Sequence, residues 1–335
     1  MKRVSILLHI LFPAVFVIVV LLIAPLKEVF EYDPDEGINV MKALLYLKGF
    51  SLYDEIWNDQ PPLLTYIMSY WFNLFGLLVY QGRLLVLIFS AILLWAYYQT
   101  IRNSWGHLCA SLAVVFLLLS ANYLRLSISV MVGLPALTFA MLSIYGLTLY
   151  RKFCLKRWLI LSGILMALSL QTKLFAVFLV PIIILEILQI EWANFKSGKQ
   201  LRHLFFPAML WLGTFLAVYL CIALLFFPEN FHQLLQFHLE TKEIYPAEKE
   251  WIRKFLVQDY DIVLLAFSGT VLLIRQRKWH SIFPLTWFLL AVTLLLNHKP
   301  VWSHHYLLLS IPLSWLAAIC FSEFFRIDIR HGWFP

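Results

Sequence analysis

The chain has 335 residues, of which 62% are hydrophobic and only 13% charged, against roughly 25% charged in an ordinary soluble domain. That balance excludes a water-soluble globule. The net charge of +7 does not argue for nucleic acid, because most of the basic residues fall in short loops between apolar runs, where they orient membrane spans.

The first apolar run follows Lys2 and Arg3 and extends from Val4 to Pro25. It is too long for a signal-peptide core and lacks a small-x-small cleavage site, so it is expected to be retained as an anchor. Further runs lie at 83–101, 107–124, 126–150, 157–172, 173–190, 203–227, 259–275, 280–296 and 302–321, giving about ten crossings of a hydrocarbon core ~30 Å thick. The expected fold is an all-α integral membrane protein, one polytopic domain over residues 1–335 with large extracytoplasmic loops at 26–82 and 228–258 and no soluble C-terminal domain. With the N-terminus inside, Lys2, Arg3, Arg102, Arg151, Lys152, Lys156, Arg157, Lys196, Lys199, Arg202, Arg275, Arg277, Lys278, Arg326 and Arg330 all fall on inner loops. This alternation places both termini in the cytoplasm of a plasma (inner) membrane protein and any site in loop 26–82 outside. It requires that the apolar segment 61–80, with Tyr66, Tyr70, Trp71 and Phe72, lie in the outer interface as a helix instead of crossing. Cys109, Cys154, Cys221 and Cys320 show no Cys-x-x-Cys spacing, so neither a disulfide frame nor a thiolate metal site is expected.

Eight of the 19 acids, Glu28, Glu31, Asp33, Asp35, Glu36, Asp54, Glu55 and Asp59, crowd into residues 26–60. The span middles carry no Asp, Glu, Lys or Arg, which disfavours an ion-coupled transporter, since such proteins keep ionisable groups near the midplane. Within the acidic loop, Asp33-Pro34-Asp35-Glu36-Gly37 precedes Ile38, Met41, Leu44 and Leu45 at helical spacing, with Gly49 as a stop. Capping accounts for three of these residues: Asp33 as N-cap, Pro34 at the first position and Glu36 at the third. Asp35 is left over, and Asp35 and Glu36 are the candidate catalytic carboxylates. Outside cations are sparse: Arg83 before the second span, and Arg125, Lys173 and Lys299 singly in three short outer hairpins. They are membrane anchors by snorkelling, or together they neutralise a lipid-linked phosphate. His304, His305 and Tyr306 stand at a span entrance. The sequence specifies no cofactor: a divalent metal is compatible with the acidic loop, but the His pair has no third ligand at metal spacing. No phosphate-binding glycine loop or dinucleotide fingerprint is present.

Asp35-Glu36-Gly37, Ala43, Gly49, Leu52-Tyr53, Trp57, Gln60-Pro61-Pro62-Leu63, Phe75-Gly76 and Arg83 together resemble the opening signature of the polytopic C-type glycosyltransferases, which include the protein O-mannosyltransferases and lipid A aminoarabinose transferases. The segment from Gly163 to Thr172-Lys173, and His305-Tyr306-Leu307-Leu308 with Pro312, resemble later family segments. The resemblance implies a transferase that moves a sugar from a polyprenyl-phosphate donor to an acceptor hydroxyl on a lipid, glycan or protein at the extracytoplasmic face. Asp35 is then the general base, inversion is expected, and Asp59, Arg83, Arg125, Lys173, Lys299, His305 and Tyr306 are candidate substrate-binding residues. One departure stands out. Relatives often carry Lys or His immediately before the Pro-Pro pair, where this chain has Gln60, so a cation used there must come from elsewhere. A non-enzymatic lipid-carrier translocase or polytopic assembly partner is the alternative, since it too would show clean spans and scattered outer cations.

Overall fold

The computed structural model describes the backbone of residues 2–193, 202–227, 229, 232–234, 250–276 and 282–331. Among these residues the architecture is helical, with only an isolated bridge between Leu52 and Ile56. In chain order the helices are α1 (Lys2–Ile23), α2 (Asp35–Leu47), α3 (Leu63–Phe75), α4 (Val79–Trp105), α5 (His107–Leu119), α6 (Ala121–Ser127), α7 (Gly133–Phe153), α8 (Lys156–Leu170), α9 (Leu179–Ala193), α10 (Arg202–Leu224), α11 (Glu250–Gln258), α12 (Tyr260–Arg275), α13 (Phe283–Asn297) and α14 (Leu307–His331). Short 3₁₀ turns, Leu174–Phe178 and Ser303–Tyr306, lead into α9 and α14.

The protein is an all-α multi-pass membrane protein, but its spans are less regular than ten hydrophobic runs suggest. Among the described residues five stretches are long and apolar enough to cross: Val79–Trp105, Gly133–Phe153, Leu174–Ala193, Leu204–Leu224 and Ser303–Phe324. Two bent pairs, α5 with α6 at 76° and α11 with α12 at 90°, raise the number to seven. The apolar parts of α1 and α13 are shorter, Ile10–Ile23 and Phe283–Asn297. The expected run 107–124 is thus broken at Ser120, and the run 126–150 holds the last two residues of α6, a non-helical stretch at 128–132, and α7 from Gly133. Segment 61–80 holds α3, a helix of 13 residues stopped by Gly76 at a φ of 98°. At 1.5 Å per residue that is about 20 Å, short of a ~30 Å core. The middle of the second large loop, with His238 and Glu243, and the inner-loop residues Lys196, Lys199, Arg277 and Lys278 lie outside the described residues.

The chain divides into two compact units, one formed by Pro13–Leu93 with Arg125–Pro246, the other by Met1–Phe12, Leu94–Leu124 and Ala247–Pro335. In the first, α8 packs between α7 and α10, α9 lies on α10, and α2 on α3. Small residues permit this close packing. A Cβ on Gly163 would sit 2.8 Å from the Trp211 carbonyl oxygen, and beside it the Trp211 indole donates to Ser162 Oγ at 3.0 Å. Under α2 and α3, Ala43, Leu64, Met68, Phe72, Leu85 and Val130 form a buried apolar cluster. In the second unit α14 packs on α5, α12 and α13. Its buried polar junction is Asp259, whose carboxylate accepts from Ser120 Oγ at 3.2 Å, Asn122 Nδ2 at 3.2 Å and Ser310 Oγ at 3.4 Å. The two helix breaks therefore meet through one side chain.

Candidate active site

The site grows from the first turn of α2. Pro34 precedes the helix with φ −54° and ψ −31°, already in the helical region as its ring dictates. The expected capping box does not close. Asp33 Oδ1 accepts from the Asp35 N–H at 3.3 Å, but Glu36 is not free to reach back to Asp33, because its carboxylate is committed elsewhere. Glu36 Oε1 accepts from Arg83 Nε at 2.9 Å and the Val130 N–H at 3.0 Å; Oε2 accepts from Arg83 Nη2 at 2.7 Å and the Tyr32 N–H at 3.1 Å. Arg83 Nη1 donates to the carbonyls of Leu26 and Val29 at 2.7 and 2.8 Å. Both side chains are nearly inaccessible, 2% and 1%. Two buried charges are tolerated only when paired and fully hydrogen-bonded, and here they tie the start of loop 26–60, the start of α4 and the non-helical segment before α7 into one knot.

Two more acids are paired. Asp33 Oδ2 accepts from Arg125 Nη1 at 3.1 Å. Arg125 lies within α6, not in the hairpin expected from the sequence. Asp59 Oδ1 accepts from Lys42 Nζ at 2.8 Å and Oδ2 from Gln60 Nε2 at 2.9 Å. Burial works against the Asp59 charge, but the Lys42 ammonium and the Gln60 amide outweigh it and hold the carboxyl below its usual range. A cation does stand just before the Pro61-Pro62 pair: Lys42 of α2, which bonds the opposite oxygen of the carboxylate that Gln60 touches.

One acid and one cation are left over. The Asp35 carboxylate makes no hydrogen bond or ion pair among the described residues. It reaches solvent, yet the surrounding protein desolvates it, and Asp33 adds like-charge repulsion that Lys173 only partly offsets, so its pKa lies above the ordinary carboxylate range. Lys173 is delivered to the same region by the end of α8. The chain leaves the helix at Leu170, the Lys173 N–H still donates to the Ser169 carbonyl at 2.9 Å, and the Gln171 carbonyl accepts the first N–H of α3, from Leu63, at 3.0 Å. The Lys173 side chain is 9% exposed. Its ammonium lies 5.1 Å from the centre of the Phe175 ring and makes no hydrogen bond or ion pair among the described residues. Burial pushes its pKa down to about 8, although Asp35, Asp59 and Asp33 pull it upward. An exposed carboxylate and a buried ammonium, neither with a hydrogen-bond or ion-pair partner among the described residues, act on each other beside the pairs Glu36–Arg83, Asp33–Arg125 and Asp59–Lys42.

The sequence therefore pointed to six residues that the first unit gathers: Asp35, Glu36, Asp59, Arg83, Arg125 and Lys173. Lys299, His305 and Tyr306 belong to the second unit. Lys299 lies between α13 and the 3₁₀ turn. His305 Nδ1 accepts from the Trp302 N–H at 3.2 Å, and the Tyr306 ring packs edge-on against Phe255, with centroids 5.5 Å apart. Sequence reasoning missed Lys42, Asn39 and Gln233. Asn39 Nδ2 donates to the Val130 carbonyl at 2.9 Å, and Gln233 Oε1 accepts the Asn58 N–H at 2.7 Å. The available signal was spacing: Asp35, Asn39 and Lys42 fall at i, i+4 and i+7, a polar stripe on a helix otherwise written as amphipathic.

The sequence profile of the dolichyl-phosphate-mannose-protein mannosyltransferase family matches residues 59–227. The chain belongs to this family. The match takes in Asp59, Arg83, Arg125 and Lys173, and Asp33, Asp35, Glu36 and Lys42 precede it. No curated protein sequence matches the chain. Among solved structures, the fold of this mannosyltransferase-family chain is shared with ArnT from Cupriavidus metallidurans bound to undecaprenyl phosphate, with a TM-score of 0.73 at 13% identity over 96% of this chain. The apo form of that ArnT gives a TM-score of 0.67 at 14% identity over 96% of this chain. The chain spans 60% of the length of either ArnT chain. At such identities the likeness is one of fold.

Proposed function

We propose that the protein is a membrane glycosyltransferase that moves a sugar from a polyprenyl-phosphate donor to an acceptor hydroxyl at the extracytoplasmic face, with both termini in the cytoplasm. The observation that carries this reading is the pair Asp35 and Lys173, which has no hydrogen-bond or ion-pair partner among the described residues and is set among the pairs Glu36–Arg83, Asp33–Arg125 and Asp59–Lys42. Family membership and the undecaprenyl phosphate bound to the ArnT of like fold support a lipid-phosphate donor.

In the proposed reaction the acceptor oxygen attacks the anomeric carbon from the face opposite the phosphate. The bond from that carbon to the phosphate oxygen breaks, its electron pair leaves with the lipid phosphate, and the configuration inverts. Asp35 takes the acceptor hydroxyl proton. Its raised pKa suits a base that must hold that proton, and general-base assistance of this kind is worth about 10²–10⁴-fold. The departing phosphate needs charge neutralisation more than a proton, and Lys173 supplies a point charge with donors to spare. One carboxylate and one cation are enough, whereas hydrolysis of an ordinary glycoside uses two carboxylates. In this scheme Glu36 and Arg83 hold the loop, and Arg125 orients Asp33.

Purified protein in proteoliposomes, supplied with a synthetic polyprenyl-phosphate hexose and an envelope lipid and glycan extract, tests the proposal. Release of free polyprenyl phosphate with matching hexose in an acceptor, followed by mass spectrometry, is the expected result. Movement of intact donor between leaflets without its consumption would replace the transferase by the translocase.

A further inference from the structure

Lys42 stands on the face of α2 that carries Asp35, two turns later, and is 5% exposed. A buried lysine is costly unless its ammonium is satisfied, and this one is satisfied from a single short segment. Nζ donates to Asn58 Oδ1 at 3.1 Å and Asp59 Oδ1 at 2.8 Å, and it sits 4.7 Å from the centre of the Trp57 ring, a cation–π distance. The segment is gripped further by its own amides. Asn58 Nδ2 donates to the Gln60 carbonyl at 2.7 Å and Gln60 Nε2 to Asp59 Oδ2 at 2.9 Å. What Lys42 holds is not apolar core. Trp57 is 48% exposed and the Asp59 side chain 19% exposed, and the Asp59 charge is felt by both Asp35 and Lys173.

We propose that Lys42 is a positioning residue for sugar transfer: it fixes the Trp57–Gln60 segment as a wall of the donor site, in register with Asp35 on the same helix. This rests on the assignment of Asp35 and Lys173 to the transferase site. The wall presents the Trp57 ring, the Asp59 carboxylate and the Gln60 amide, groups that suit the apolar faces and hydroxyls of a pyranose, while Asn58 is buried behind it. The ammonium makes no contact with the reacting atoms in this scheme. It acts by removing the freedom of a segment whose geometry must be set before the donor arrives.

The test uses full-length Lys42→Met, Asp59→Asn and the double variant Lys42→Met/Asp59→Asn in proteoliposomes with the polyprenyl-phosphate hexose. The double variant removes both charges at once, so neither is left buried without a partner. Each single variant is expected to raise the donor KM about tenfold or more while kcat changes less than about threefold, and the double is expected to be no worse than the more affected single, because the two side chains act as one unit. Lys42→Arg, which keeps the charge, should restore much of the donor affinity. A double variant with wild-type KM and only a lowered Tm would overturn the proposal in favour of a purely structural pair. A collapse of kcat at unchanged KM would make Lys42 catalytic and overturn it equally. Asp35→Asn run alongside separates the two levels: normal turnover there defeats the base assignment, whereas the KM values of the Lys42 variants judge the wall on their own.

Discussion

Replacing Lys173 by Met should make the protein more stable and less able to hold its donor. The folded protein keeps the Lys173 pKa at about 8 where the free side chain has 10.5. A gap of that size, at 1.36 kcal/mol per unit, corresponds to a cost on the order of 3 kcal/mol for keeping the ammonium charged. The attraction of Asp35, Asp59 and Asp33 is already contained in that balance. The pH dependence follows from proton uptake. Below pH 8 both folded and unfolded chains are protonated at this lysine, so the full cost applies. Between about 8 and 10.5 the unfolded chain binds more protons, and wild-type stability rises with pH as the cost fades. Methionine preserves the unbranched shape without the charge. Thermal unfolding of the detergent-purified proteins should therefore show Lys173→Met melting above wild type at pH 6–7, with the difference closing as pH approaches 10. Donor binding, measured with immobilised polyprenyl-phosphate hexose, should weaken at least tenfold. A variant that melts below wild type at pH 7, or that binds donor normally, would refute the reasoning, since either result means the ammonium is satisfied within the protein.

Glu36→Gln breaks a buried pair with four donors on one carboxylate and should cost about 3–5 kcal/mol, read as a fall in Tm and in membrane-extracted yield; a stable but inactive variant would instead make Glu36 catalytic. The pH profile of kcat/KM should be bell-shaped, rising through a pKa above the ordinary carboxylate range as Asp35 ionises and falling near pH 8 as Lys173 loses its proton; in kcat the alkaline limb should move upward, because bound phosphate favours the ammonium. Gly163→Val should destabilise by about 1–3 kcal/mol, because even a Cβ there meets the Trp211 carbonyl at 2.8 Å; an unchanged Tm would show that α8 and α10 can separate freely.

The helical membrane architecture was legible because hydropathy acts residue by residue, and no distant contact is needed to recognise a run that water rejects. The division of those runs was less so. Ser120 interrupts an apolar stretch that averages as continuous, Asp259 stands where a polar loop was expected to give way to a span, and what stabilises both breaks is a hydrogen bond between residues 139 positions apart, which no local pattern reveals. The same limit governs the site. The surplus of Asp35 over the needs of capping could be read locally, and so could the place of Lys173 among the sparse outer cations. The partner choices could not. Glu36 follows Asp35 directly, yet it belongs to Arg83, 47 residues away, and that pairing is what removes Glu36 from the capping box and leaves Asp35 alone. Lys42 was missed because its anchors, Asn58 and Asp59, come from beyond the helix stop at Gly49. The outer cations looked equivalent in sequence; in the fold Arg83 and Arg125 are spent on carboxylates, and Lys173 is not.

Single-turnover sugar transfer by Asp35→Asn tests the central claim most directly. The substitution is nearly isosteric and touches none of the three ion pairs around it, so the variant should insert, fold and melt like wild type. Polyprenyl-phosphate hexose should still bind with an affinity within a few-fold of wild type, since a carboxylate beside a phosphate does little to hold it. The rate of hexose transfer from pre-bound donor should then fall by about 100-fold or more. Transfer at a near-normal rate by a well-folded Asp35→Asn protein would contradict the account.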